Sequence, residues 1–146
     1  MTVPVSTILQ LKGTEVATIS RTASVRDALL QLAEHDIGAL VVCAGDRHIQ
    51  GVISERDIVR SLATSSGTVL DEPVESIMSS QVTVCERSTT TDDLVVMMTE
   101  QRIRHVPVVD DGQLVGIVSI GDVVKWRMEE LADEAKHLEH YVTGSY

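Results

Sequence analysis

Ser54 and Asp57 stand three residues apart behind a glycine in GVISERD (51–57), and Ser119 and Asp122 repeat the arrangement in GIVSIGD (116–122). In each, glycine opens a β-leaning run that ends on the serine, where a helix N-cap belongs. A hydroxyl and free N–H groups at a helix start suit an anion such as phosphate. A carboxylate one turn on can accept two hydrogen bonds at once, as from a ribose diol. The same Ser-x-x-Asp spacing is also close to a capping box, which a helix needs with no ligand present. Ser24-x-x-Asp27 and Thr90-x-x-Asp93 share the spacing, so by itself it does not discriminate. Gly51 and Gly116 distinguish the first two, because glycine in an apolar strand signals close approach by another backbone or a ligand.

These motifs need elements to position them, and the chain supplies the elements twice. Val16–Ala17–Thr18–Ile19 matches Val82–Thr83–Val84 as a short strand. Val25, Ala28, Leu29 and Leu32 form a helical stripe that recurs as Thr91, Leu94, Val95 and Met98. Ala39–Cys43 and Val106–Val109 read as buried strands, and Ile49–Ile53 and Leu114–Val118 return the chain to the heptapeptides. The offset moves between 65 and 66, so a one-residue length change belongs in a loop. Each half reads β-α-β-β-α, preceded by a helix at Val5–Leu9 or Val74–Met78. The expected repeats span 5–65 and 74–130, joined by a Ser-, Thr- and Gly-rich linker over 63–73. Neither half can cover its own sheet, so the two should pack together in an α+β fold, sheet to sheet, with clefts between them.

A third feature lies outside the repeat. From Asp122 no breaker appears until Gly144, which predicts a long helix over 122–143. Val124, Met128, Leu131, Ala135, Leu138 and Val142 fall at alternating four- and three-residue spacing, a heptad seam. That stripe either covers the chain's own core or joins a second copy, and the spacing favours self-association.

Composition narrows the function classes. The 146 residues suffice for one compact domain or two halves sharing a core, and 43% are hydrophobic with a mean hydropathy of +0.11. No apolar run reaches membrane-spanning length, and the first residues lack a signal-peptide layout. A net charge of −10 disfavours a phosphate-backbone partner, and the lack of Phe removes stacking platforms, so nucleic acid is not expected. Cys43 and Cys85 sit in strand-like apolar surroundings, which fits free thiols and a cytoplasmic, reducing location. His35, His48, His105, His137 and His140 show no metal-ligand clustering. No Cys–His or Ser–His arrangement, glycine-rich phosphate loop or Walker motif is present, so no nucleophile–base pair is visible and no enzyme is expected.

With both repeats laid out, the chain resembles a tandem pair of cystathionine-β-synthase (CBS) domains, the pairing also called a Bateman module. The likeness covers roughly residues 5–130. It rests on the β-α-β-β-α repeat, the two G-h-h-S-x-x-D motifs, VESIM, and RIRHVPVVDDGQLVGIVS. It implies a regulatory module that binds adenosine-containing ligands (AMP, ADP, ATP, NAD(H) or S-adenosylmethionine) in two inter-repeat clefts, with no obligatory cofactor. Binding would alter conformation or affinity for a regulated protein, one not fused to this chain. By position, one cleft would use Ser54 and Asp57 with Thr83, Val84, Arg104, His105, Val106 and Pro107. The other would use Ser119 and Asp122 with Thr18, Ile19, Ile37, Gly38, Ala39 and Leu40. Aspartate would grip ribose, apolar strand residues and backbone would hold adenine, and serine plus basic groups would meet phosphate. Arg56, beside Asp57, either reaches phosphate or stays solvated. Where the second repeat reads Arg104-His105-Val106-Pro107, the first reads Gly38-Ala39-Leu40-Val41, so the Arg104 cleft is the expected stronger phosphate binder. A structural homodimer with vestigial clefts and a nucleotide hydrolase served by the two aspartates are the alternatives.

Overall fold

The computed structural model describes residues 2–65 and 67–144. Among these residues, five α-helices and six strands follow one another as α1 (Val5–Lys12), β1 (Thr18–Ile19), α2 (Val25–His35), β2 (Ala39–Cys43), β3 (Ile49–Ser54), α3 (Glu55–Thr64), β4 (Cys85–Glu86), α4 (Thr91–Gln101), β5 (His105–Asp110), β6 (Gln113–Ser119) and α5 (Ile120–Thr143). Two 3-10 turns, Thr68–Asp71 and Val74–Ser76, lie between the halves. The strands form two three-stranded sheets, β1-β2-β3 and β4-β5-β6, each with one parallel and one antiparallel pairing. The α+β class and the doubled plan are as the sequence predicts.

Local chemistry explains the element ends. Ser24 and Thr90 accept hydrogen bonds from the N–H groups of Asp27 and Asp93, starting α2 and α4. Asp36 and Arg102 close those helices in the left-handed region (φ 52° and 56°). The next N–H groups, of Ile37 and Ile103, reach back to Leu32 and Met98 at 3.1 and 3.0 Å. This paired turn delivers Gly38 and Arg104 to the starts of β2 and β5. Of the expected stripes, Val25, Ala28, Leu32 and Thr91, Leu94, Met98 are buried, whereas Leu29 and Val95 lie on the exposed side.

Two local expectations need correction. The first strand of the second half is Cys85–Glu86 rather than Val82–Val84. In the first half, the Val41 N–H donates to Ala17 O at 3.3 Å; Pro107, at the matching place in β5, has no N–H, so pairing begins one step later at Cys85↔Val108. The helix expected at Val74–Met78 is a single 3-10 turn, because Ser79 is already tied to Val52 by two backbone bonds of 2.9 Å. The one-residue length change sits in the hairpins, between Cys43↔Ile49 and Val109↔Leu114.

The largest departure concerns the segments that precede each half. Val5, Ile8 and Leu9 of α1 pack into the second core with Cys85, Leu94, Met98, Val106, Val108 and Val118. Val74, with Leu70, Ile77 and Met78, packs into the first core with Val25, Leu32, Leu40 and Ile53. Backbone bonds lock both exchanges: Val5 N to Thr89 O (2.7 Å) on one side, Val74 N to Ala23 O (2.7 Å) on the other. Each leading segment is therefore swapped onto the opposite half. The halves are further joined where Arg47 and Leu114 exchange hydrogen bonds, Leu114 N to Arg47 O and Arg47 Nε to Leu114 O.

Candidate functional site

Both serine–aspartate motifs form full capping boxes. Ser54 accepts from Asp57 N at 3.2 Å, and the Asp57 carboxylate accepts from Ser54 N at 2.9 Å and from the Ser54 hydroxyl at 3.0 Å. Ser119 and Asp122 repeat the reciprocal backbone bonds at 3.1 and 2.8 Å. The other two spacings, at Asp27 and Asp93, are capped from one side only. Most first-turn donors are consequently in use: Glu55 N goes to Gly38 O and Ile120 N to Arg104 O. The helix starts thus offer an anion far less than their sequence promises, and phosphate must be met by side chains.

Nor do the glycines serve a ligand. A Cβ on Gly51 would fall 2.7 Å from both the Met78 sulfur and Ser79 O, and one on Gly116 would fall 2.8 Å from a Leu9 methyl. The close approach expected there is by the swapped segments.

Each aspartate opens into its own cavity between the halves. The Asp57 cavity, about 370 Å³, gathers Ser54, Arg56 and Asp57 with Thr83, Arg104, His105 and Pro107, facing Gly38 and Ala39. The Asp122 cavity, about 1330 Å³, gathers Ser119 and Asp122 with Thr18, Ile37, Gly38 and Ala39. Four expected residues do not line these cavities. Val106 and Leu40 are fully buried and Ile19 nearly so, each in its half's core, because alternate strand residues point away from the cleft. Val84 is exposed outside it.

Sequence reading missed the cations of the Asp122 cavity. Lys12, Arg47 and Arg87 line it, all from outside the segments compared between repeats. Lys12 sits in the last turn of α1, and only the segment swap brings it here. Its ammonium donates to Asp122 Oδ2 at 2.6 Å and to Ile117 O at 2.8 Å. Burial alone would raise the Asp122 carboxyl, but the Lys12 ammonium and the Ser119 donors outweigh it and hold the group below the ordinary carboxylate value. Among the described residues no ion pair engages Asp57. The two aspartates share a motif and differ in what already occupies them.

His105 lines both cavities and lies beside Gly38 where they meet. Burial lowers its imidazole below the usual value; Asp122 opposes this, while Lys12 and Arg104 add to it. It is therefore neutral near pH 7 and can act as donor or acceptor toward either side.

Similarity to known proteins bears on this arrangement. The CBS domain family profile matches residues 9–64 and again 74–129. A CBS domain-containing mitochondrial protein of Arabidopsis thaliana is 35% identical over 127 residues, 84% of this chain, and the match spans 62% of the plant protein. The crystal structure of a CBS-domain containing protein from Agrobacterium tumefaciens superposes with a TM-score of 0.82 at 41% identity, covering 86% of this chain and 99% of that one. The CBS domain pair of protein MJ0100, solved with 5′-methylthioadenosine and S-adenosyl-L-methionine, gives 0.78 at 26% identity, covering 89% and 99%. A CBS domain protein from Pyrobaculum aerophilum complexed with AMP gives 0.72 at 32% identity, covering 82% and 89%.

Proposed function

The chain belongs to the CBS domain family, and from that premise we propose that it is an adenine-nucleotide-binding regulatory module rather than an enzyme. AMP, ADP, ATP or NAD(H) binds between its two halves and alters conformation or affinity for a regulated partner. One observation carries the reading: Asp57 opens into the same small cavity as Arg104 and neutral His105. A carboxylate suited to a ribose diol and a guanidinium suited to phosphate thus face one volume, within the usual range for small-ligand sites, about 300–1,000 Å³. AMP in the Pyrobaculum structure, and the two adenosine-containing ligands with MJ0100, support this ligand class. The Ser54 hydroxyl donates to the Asp57 carboxylate and accepts from Asp57 N, so it is already engaged, which supports binding over catalysis.

The test is a thermal-shift screen of ligand-free protein with AMP, ADP, ATP, NAD, NADH and S-adenosylmethionine, with GMP as base control. A ligand at a hundred times its dissociation constant stabilises by about 2.7 kcal/mol. A rise of several degrees with an adenine ligand and not GMP is expected. No shift with any of them overturns the proposal.

The assembly we infer is a homodimer joined through α5. Val124, Met128, Leu131, Leu138 and Val142 are all exposed, so the seam does not cover the chain's own core. The flanking charges favour an antiparallel second copy. A parallel pair would set Glu134 against Glu139 twice, whereas an antiparallel pair centred near Glu129–Glu130 sets Arg127 against Glu134 twice. Cys43 and Cys85 are both free thiols, which suits a cytoplasmic, reducing location. No helix among the described residues is long and apolar enough to cross a membrane.

A further inference from the structure

Resting on the reading that the clefts take adenine nucleotides, we propose that Lys12 determines specificity in the Asp122 cleft. Its ammonium changes partner on binding, from the Asp122 carboxylate to a ligand phosphate, so that cleft admits phosphorylated adenosine and refuses the bare nucleoside.

At rest the Lys12 ammonium is held by Asp122 Oδ2 and by the Ile117 carbonyl, and both side chains of the pair are largely screened from solvent (29% and 22% exposed). A ribose diol seeking Asp122 must compete with a charge-assisted bond of 2.6 Å. If the ligand is neutral, displacing the ammonium leaves a partly buried cation with one backbone carbonyl. If the ligand carries phosphate, the ammonium acquires a new countercharge as it leaves the carboxylate, and Asp122 is freed to accept the hydroxyls. The exchange conserves the number of satisfied charges only for a nucleotide.

The neighbouring cations have other partners at rest. Arg47 donates through Nε to Leu114 O at 2.9 Å, and Arg87 is paired with Asp110 at 3.3 Å. Glu15 and Asp36 line the same cavity and add negative charge that a phosphate must avoid. Among the described residues, Lys12 is the cation that pairs with the Asp122 carboxylate. It occupies the last turn of α1, where the carbonyl end of the helix favours a cation in either position. Among the described residues no cation pairs with Asp57, so its cleft should accept nucleosides that the Asp122 cleft refuses.

Titration calorimetry of the full chain with AMP and with adenosine tests this, in wild type and in an Asp57→Ala background that isolates the Asp122 cleft. In Asp57→Ala, AMP should bind at least tenfold tighter than adenosine. Adding Lys12→Gln should weaken AMP roughly ten- to a hundredfold, the usual effect of losing one bond to a charged group, and should tighten adenosine. Adding Lys12→Arg, which keeps the cation, should preserve the preference and shows that the position tolerates change. Equal losses for both ligands would make Lys12 merely structural, and equal gains would make it merely an obstruction; either overturns the proposal. Binding to wild type that Asp57→Ala abolishes for both ligands also overturns it, while leaving nucleotide binding intact. Failure of wild type to bind either ligand overturns the functional reading as well.

Discussion

Gly51 lies directly against Met78: a Cβ at Gly51 would come within 2.7 Å of the methionine sulfur and equally close to the carbonyl of Ser79. That carbonyl accepts from Val52 N while Ser79 N donates to Val52 O, both at 2.9 Å, so the backbone there cannot retreat without breaking two bonds. At Gly116 the obstacle is only the tip of the Leu9 side chain, which can rotate. Gly51→Ala should therefore destabilise by about 1–3 kcal/mol, the usual range for overpacking, and Gly116→Ala by less. Urea midpoints of the two variants check the order. An equal or reversed ranking would show that the swapped segment yields more easily than its hydrogen bonds suggest.

Arg104→Ala should weaken AMP binding in the Asp57 cleft about ten- to a hundredfold and leave adenosine almost unchanged, since only the phosphate loses a partner. Asp57→Ala should weaken both ligands there, because the ribose grip does not depend on phosphate. Calorimetry with the two ligands separates the effects. Equal loss of AMP and adenosine in Arg104→Ala would place the guanidinium away from the phosphate.

The half-buried imidazole of His105 predicts a pH dependence of stability. Its folded pKa lies below the ordinary 6.5, mainly through burial, so the unfolded chain binds the proton more readily. The stability it contributes is complete above pH 6.5 and is lost as pH falls from there through the folded value. Asp122, whose folded value is also depressed, loses its contribution only in more acid solution, below its ordinary 3.8. Urea melts at about pH 7.5 and 5.5 should show a smaller decline for His105→Gln than for wild type. Identical declines would assign the acid sensitivity elsewhere.

The exposed stripe on α5 should hold two copies together. Leu131→Glu with Leu138→Glu should convert a dimer to a monomer by light scattering. Glu134→Lys separates the two orientations: an antiparallel seam loses attraction to Arg127 and weakens, whereas a parallel seam loses the clash with Glu139 and tightens. An unchanged mass in the double variant would remove α5 from the interface.

How far the sequence was legible follows from where each signal resides. The strands β2, β3, β5 and β6 and helices α2 and α4 carry their own periodicity, so their placement could be read residue by residue. β4 could not, because its start depends on the missing N–H of Pro107, a residue on another strand. Ser54, Asp57, Arg104, His105 and Pro107 meet in one cavity as their motif positions imply. Val106 and Leu40 were drawn in with their neighbours because a motif match ignores strand alternation. Lys12 was invisible: nothing in its surroundings marks it, and its role arises from α1 docking on the half that does not follow it.

That docking also sets the order in which the chain can fold. As synthesis proceeds, Val5 emerges long before Thr89, the residue whose carbonyl receives its N–H. The apolar face of α1 then has no permanent berth until β4, β5 and β6 have been made. The first half, in turn, waits for Val74 to close its core. Contacts this distant along the chain slow folding and leave apolar surface uncovered during it. The same mutual dependence makes each half a poor fragment, since a cut between them strips a helix or a turn from both cores. The two halves are bound to form, melt and respond as one unit.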